Sequence, residues 1–319
     1  MAWLVGLDEA GYGPNLGPFV MSAVCCRVPD EFADGCLWKL LRKAVRRSDD
    51  EDDGRLVIDD SKLVYSSTGG LAALEAGVLA ALPGLASAAH LEEGLGRLCP
   101  SALAPLRAEA WFTGTTRLPV EADRAVCEKA ADSLGTAATE CGLTWGMVRS
   151  EVVCAGPFND LLDATDSKGN VLGHCLAELV RAIHEAQPDQ EATFYFVDKH
   201  GGRNYYAALV QNALPQGMVS VVKESATEST YRVHGLGHDV RLTFLPRADT
   251  AHLCVALASM VSKYLRELLM GEFNAFWAKH VVNLKPTAGY PGDAARFYRA
   301  IRPTADRLGI SERVLWRRK

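Results

Sequence analysis

The chain has 319 residues, 48% of them hydrophobic and 23% charged, an ordinary soluble composition able to bury a sizeable core in one enlarged domain or two. No uncharged run approaches the ~18 residues of a membrane span and no cationic leader with an apolar core opens the chain, so a cytoplasmic protein is expected. The formal charge of -5 argues weakly against a nucleic-acid partner, and the nine cysteines, scattered without a Cys-x-x-Cys pair, suit buried reduced thiols rather than zinc.

Ala2 to Leu7 predicts a buried strand that ends on two adjacent carboxylates, Asp8 and Glu9, before a loop with glycines at 11, 13 and 17. Acids at the end of a central strand are costly to desolvate and persist most easily when a cation neutralises them, which points to a divalent metal site. A phosphate-binding P-loop is excluded because Tyr12 and Gly13 stand where lysine and a hydroxyl residue are required. A dinucleotide fingerprint fails on the glycine spacing and on Pro14 and Pro18. A tight turn between antiparallel strands accounts for the glycines but not for the acid pair.

Phe19 to Val28 predicts a second strand, and residues 32 to 47 a helix with Arg42, Lys43, Arg46 and Arg47 outward. The acidic run from Asp49 to Asp53 is a solvated loop. A short apolar run, Leu56 to Ile58, leads into Asp59-Asp60-Ser61-Lys62-Leu63, where Asp60 or Ser61 could cap a helix. Residues 70 to 145 carry two helical patterns, near 70–82 and 121–141, around an irregular stretch from Trp111 to Pro119. Trp145 to Ala155 predicts a strand, Gly156 to Gly169 a polar connector, and Asn170 to Ala186 a helix with an apolar stripe.

Ala192 to Val197 predicts a buried strand ending on Asp198. A helix over 203–214 and a strand over 218–223 follow, and then a polar stretch, 224–240. Its histidines, His234 and His238, are separated by glycines and belong in a hairpin loop rather than on a zinc-binding helix. Arg241 to Leu245 is another strand candidate, leading to Arg247-Ala248-Asp249 and a helix that carries Ser259, Lys263 and Arg266. From Lys285 onward nine Lys/Arg face three acids, a local +6 suited to phosphate contact.

Several of these stretches together resemble the ribonuclease HII family. Asp8, Glu9, Ala10, Gly11, Gly13, Gly17 and Pro18 match its first motif, Asp-Glu-Ala-Gly-Arg-Gly followed by Gly-Pro, with Tyr12 where arginine is usual. Asp60-Ser61-Lys62-Leu63 resembles a shortened Asp-Ser-Lys-Lys-Leu, and Asn170-Val171-Leu172 the family's Asn-Ile-Leu. Asp198 matches the third carboxylate, with Lys199 in place of the usual glycine and expected to point away from the site. Asp249, Ala258, Ser259, Lys263 and Arg266 match the fourth motif in register, and Gly289-Tyr290-Pro291 the late Gly-Tyr-Pro.

The resemblance implies an α/β, ribonuclease H-like fold: a central mixed five-stranded sheet, its first three strands antiparallel, flanked by helices. It implies a catalytic domain over 1–270, with insertions at about 70–145 and 224–240, and a C-terminal helical extension over 271–319. Asp8, Glu9, Asp198 and Asp249 would be the catalytic carboxylates and would hold two Mg²⁺ or Mn²⁺ ions. Gly11, Tyr12, Gly13, Lys62, Ser259, Lys263 and Tyr290 would contact the substrate. The activity implied is hydrolysis of RNA in RNA/DNA hybrids or of DNA containing ribonucleotides, leaving 3′-hydroxyl and 5′-phosphate ends, in DNA replication and repair. An inactive nucleic-acid-binding scaffold, or a nuclease of this fold with another substrate, are the alternatives.

Overall fold

The computed structural model describes residues 1–66, 69–165, 167–187 and 191–318; Lys319, the last of the basic C-terminal residues, lies outside them. The chain opens with β1 (Ala2–Ala10) and β2 (Phe19–Val28), paired antiparallel with Val5 opposite Cys25. The helix expected over 32–47 is reduced to a 3-10 turn and α1 (Leu37–Leu40), after which the chain extends into β3 (Val45–Arg46). Pairing explains the break: β3 lies parallel to β4 (Leu56–Val57), and Arg46 bridges Asp52 at 2.7 Å across the acidic loop between them.

The long stretch before the next strand holds α2 (Ser61–Ser66), α3 (Gly70–Ala81), α4 (Pro83–Ala86), α5 (Leu91–Leu98), α6 (Leu103–Arg107) and α7 (Arg124–Glu140). After β5 (Thr144–Val153) comes α8 (Ala155–Thr165), where a polar connector was expected. Gly156 and Pro157 fall in its first turn, where neither interrupts a hydrogen-bond ladder, and its Phe158 is buried. α9 (Lys168–Ala186) follows, with β6 (Ala192–Asp198), α10 (Ala207–Ala213), β7 (Met218–Glu224), β8 (Ser229–His234) and β9 (Val240–Leu245). The chain closes with α11 (Ala248–Ala251), the 28-residue α12 (Leu253–His280), α13 (Pro291–Leu308) and α14 (Glu312–Leu315).

One sheet has the order β5-β2-β1-β6-β9-β8-β7. Its first five strands are the expected set: β5, β2 and β1 antiparallel in succession, then β6 and β9 parallel to β1. The sheet has seven strands rather than five, because β8 and β7 extend it antiparallel beyond β9. β8 was missed inside the polar stretch 224–240, since only Tyr231 and Val233 announce its inward face. His234 closes β8 and bonds Ser220 Oγ at 2.8 Å, and His238 lies in the turn to β9.

Period-two alternation divides the core into two layers. Leu4, Val20 and Val24 face α12 and the inserted helices, while Val5, Leu7, Tyr195, Val197 and Phe244 face α9 and α10. The inserted helices are tied to α12 by two buried glutamates. Glu75 accepts the backbone N–H groups of Val120, Glu121 and Ala122 at 2.7–2.8 Å and the hydroxyl of Tyr264 at 2.5 Å. Glu272 accepts Thr113 N at 2.8 Å, Gly114 N at 2.9 Å and Thr116 Oγ1 at 2.8 Å. Most cysteines are buried thiols, Cys36 being exposed. Among the described residues no helix is long and apolar enough to cross a membrane.

Candidate active site

Parallel pairing of β1 with β6, which sets Leu7 beside Val197, brings their acidic ends together. Asp8 and Glu9 lie near the carboxyl end of β1, and Asp198 ends β6. Next in the sheet, β9 pairs Leu245 with Asp198 and delivers the chain to Arg247, whose left-handed backbone (φ 56°) starts α11 and sets Asp249 in its first turn. The turn is fixed to its neighbour, because Ala248 N donates to Asp198 Oδ1 at 2.9 Å.

α12 forms the second wall. It crosses β1 so closely that a Cβ on Gly6 would overlap the Cys254 backbone. This contact brings Ser262 Oγ to 3.0 Å from the Asp8 carbonyl and 2.9 Å from Ser22 Oγ, which is 2.8 Å from Ser150 Oγ. A buried chain of hydroxyls thus ties β5, β2 and α12 to the base of the acid pair. One turn earlier, Ser259 meets Ser61 at the start of α2, Oγ to Oγ 2.9 Å. Asp60 caps α2 by accepting Lys62 N at 2.8 Å, which carries Lys62 to the rim.

The glycine loop forms the third wall. Gly11 has φ 88° and lies against Arg266, which leaves no space for a side chain. Asn15 N and Leu16 N donate to Gly289 O at 2.8 and 3.2 Å, holding the loop beside Tyr290. From behind, Arg317 N donates to Asn15 O at 2.8 Å and its Nη2 to Pro14 O at 2.6 Å. Several of the basic C-terminal residues are therefore engaged by the protein itself. Arg317 is buried, Arg296 bridges Asp293 at 2.7 Å, and Arg313 reaches Asp160 and Asp163 at 2.5 and 2.7 Å.

The walls enclose a cleft of about 220 Å³. Asp8, Glu9, Asp198 and Asp249 line it, as do Gly11, Tyr12, Gly13, Lys62, Ser259, Lys263 and Tyr290, so every residue singled out in the sequence faces one space. Two charged residues that also line it, Asp60 and Arg266, had sequence signals, a helix-cap motif and a motif match, that gave no reason to place their side chains here. Lys199 faces away as expected, its Nζ donating to Asn204 Oδ1, Ser225 O and Ser229 Oγ at 2.9, 2.5 and 3.1 Å.

Burial, and then the neighbouring Glu9, raises the Asp8 carboxyl well above its usual range. Burial and Asp198 push Glu9 up to about 7. Burial and the charges of Asp60 and Asp198 bring Asp249 to about 6, and burial raises Asp198. A set of carboxylates that repel one another in a desolvated cleft is what a hard divalent cation relieves, and oxygen donors are what Mg²⁺ and Mn²⁺ prefer. The donor chemistry fits. Among the described residues, however, no three acidic, histidine or cysteine side chains already stand grouped to hold one ion.

Strand order and helix packing define an α/β protein of ribonuclease H-like fold, with an acidic cleft at the carboxyl ends of its central strands. No family model matches the chain, and no curated protein matches it. Among solved structures it is similar to a chain of the PCNA:RNase HII complex from Archaeoglobus fulgidus, at 13% identity over 98% of this chain and 92% of that one, TM-score 0.44. The ribonuclease H2 of Pyrococcus horikoshii OT3 gives 13% identity, the same coverages and a TM-score of 0.45. Bst-RNase HIII in complex with Mn²⁺ gives 14% identity over 99% of this chain and 66% of that one, TM-score 0.41.

Proposed function

We propose that the chain is a metal-dependent endonuclease that hydrolyses the RNA strand of RNA/DNA hybrids, leaving 3′-hydroxyl and 5′-phosphate ends. The observation that carries this reading is the meeting of four carboxylates from β1, β6 and α11 with the glycine loop and Tyr290 in one cleft. Asp8, Glu9, Asp198 and Asp249 would hold Mg²⁺ or Mn²⁺. Bound there, such ions supply Lewis acidity to the phosphodiester and lower the pKa of the attacking water.

The protein's own part is positioning. Gly11 and Gly13 let the loop backbone approach the nucleic acid closely, and Tyr290, half exposed beside Gly13, offers a ring to the sugar. Together they would read the 2′-hydroxyl that separates RNA from DNA. Lys62 would hold a backbone phosphate from the rim. Lys263, paired with Glu267 at 2.5 Å, and Ser259, bonded to Ser61, would keep the α12 wall in register with α2.

The test is a cleavage panel over labelled hybrid, single-ribonucleotide duplex, double-stranded RNA and DNA, with Mg²⁺ or Mn²⁺. Hybrid is expected to be cut and DNA left intact. Asp198→Asn is expected to lower the rate at least 100-fold, as loss of a ligand or essential carboxylate does. Full activity in that variant sinks the assignment, and cleavage of DNA alone redirects it to another substrate.

A further inference from the structure

We propose that Arg317 is a positioning residue for recognition of the ribose, fixing the glycine loop in the form that meets the 2′-hydroxyl; the proposal rests on the nuclease reading and deepens it. Two successive peptide groups of the loop, Pro14-Asn15 and Asn15-Leu16, are each held at both ends. Their N–H groups donate to Gly289 O at 2.8 and 3.2 Å. Their carbonyls accept from Arg317, Pro14 O from Nη2 at 2.6 Å and Asn15 O from the backbone N at 2.8 Å. Asn15 Nδ2 donates in return to Arg317 O at 3.0 Å. Gly13 directly precedes the clamped peptides and Tyr290 directly follows Gly289, so one clamp joins both parts of the surface that would read the sugar.

The C-terminal segment that carries Arg317 has an anchor of its own. Asn159 of α8, fully buried, donates through Nδ2 to Arg313 O and Trp316 O, both at 2.8 Å. Its Oδ1 accepts Arg318 N at 2.9 Å. Residues on both sides of Arg317 are thus tied to α8, and the glycine loop is pinned to a fixed rail.

Packing alone gives no reason for an arginine at this position. Arg317 is fully buried, and among the described residues its Nε and Nη1 have no hydrogen-bond partner. Such burial is costly for a cation, and the ring of Phe158, 5.0 Å from Cζ, offsets only part of the cost. What the guanidinium adds over an apolar side chain of similar length is the charge-assisted bond to Pro14 O. Arg317 lies behind the loop and not among the residues that line the cleft, so its part is to hold the loop and not to touch the substrate.

The test compares Arg317→Met, which removes the bond to Pro14 O, Arg317→Lys, which keeps one cationic donor, and Asn15→Ala, which removes the bond to Arg317 O. Binding of a labelled RNA/DNA hybrid and of a DNA duplex of the same sequence is followed by fluorescence anisotropy in an Asp198→Asn background. Amide exchange of the peptide covering Asn15 and Leu16 is followed by mass spectrometry in the same chains. Arg317→Met is expected to raise Kd for hybrid about five- to tenfold, to leave Kd for DNA within about twofold, and to speed exchange of that peptide about tenfold. Arg317→Lys is expected to restore hybrid binding to within about threefold of the parent, and Asn15→Ala to weaken it about two- to threefold. A folding defect alone lowers the active fraction for both nucleic acids and leaves the ratio of the two Kd values as in the parent. An unchanged ratio in Arg317→Met overturns the proposal, as does unchanged exchange of the loop. Should Arg317→Met fail to fold, Asn15→Ala decides by the same ratio and the same exchange. A parent chain that prefers hybrid in binding but cuts no substrate sinks the nuclease reading alone, and the ratio then still decides Arg317. A parent chain with no preference for hybrid over DNA, in binding or cleavage, overturns both.

Discussion

Asp8 sits where a carboxylate is least stable as an anion: buried, beside Glu9, with one oxygen accepting Glu9 N at 2.8 Å. Its charge serves a site and opposes the fold, as residues arranged for chemistry commonly do. Asp8→Asn keeps the volume and removes the repulsion. We expect the metal-free variant to melt about 2–5 °C above the parent at pH 8, by circular dichroism, while losing metal-dependent hydrolysis. An unchanged or lower melting temperature would show that the carboxylate is already neutralised by its surroundings. Lys199 shows the opposite economy. Its ammonium neighbours an acidic residue in sequence but is committed to Asn204 Oδ1 and to two oxygens of the β7–β8 turn, so it ties that hairpin to the loop after β6 and points away from the cleft.

Two elements, β1 and α12, position the acid pair, and they do so by backbone contact at Gly6. Every added atom at that point must push the helix off the strand. Ser262, Ser259 and the Arg266 wall would move with it. Gly6→Ala is therefore expected to destabilise the protein by about 1–3 kcal/mol and to lower activity more than the lost stability accounts for. Chemical denaturation and cleavage of hybrid, measured side by side, check both; parent-like stability would mean the contact is looser than it looks. The inserted helices are bound to the same long helix through Glu75 and Glu272, so the insertion buttresses the α12 wall from outside.

For the molecule as a whole, the raised carboxylates couple stability, metal and pH. Glu9 at about 7 and Asp249 at about 6 hold more protons folded than unfolded, so their contribution to stability falls as pH rises from about 4 to 7. His200 and His252, lowered by burial to about 4, hold fewer protons folded, and their contribution is lost as pH falls from about 6.5 to 4. The two slopes oppose each other in the parent's melting curve, but divalent ions act on the carboxylates alone. The rise in melting temperature on adding Mg²⁺ or Mn²⁺ is thus expected to be small at pH 5 and to grow toward pH 8. A rise independent of pH would detach metal binding from these acids. By itself the sequence determined the strands that carry the acids, because an apolar run ending on a carboxylate is a local pattern, as at Leu7-Asp8 and Val197-Asp198. The other candidate site residues were marked by the resemblance of their motifs to those of ribonuclease HII. Only the tertiary structure decided that Asp60 and Arg266 face the same cleft, that Arg317 turns inward behind the glycine loop, and that β7 and β8 widen the sheet. Each of these depends on contacts between residues far apart in the chain, and periodicity carries no information about distance across a fold.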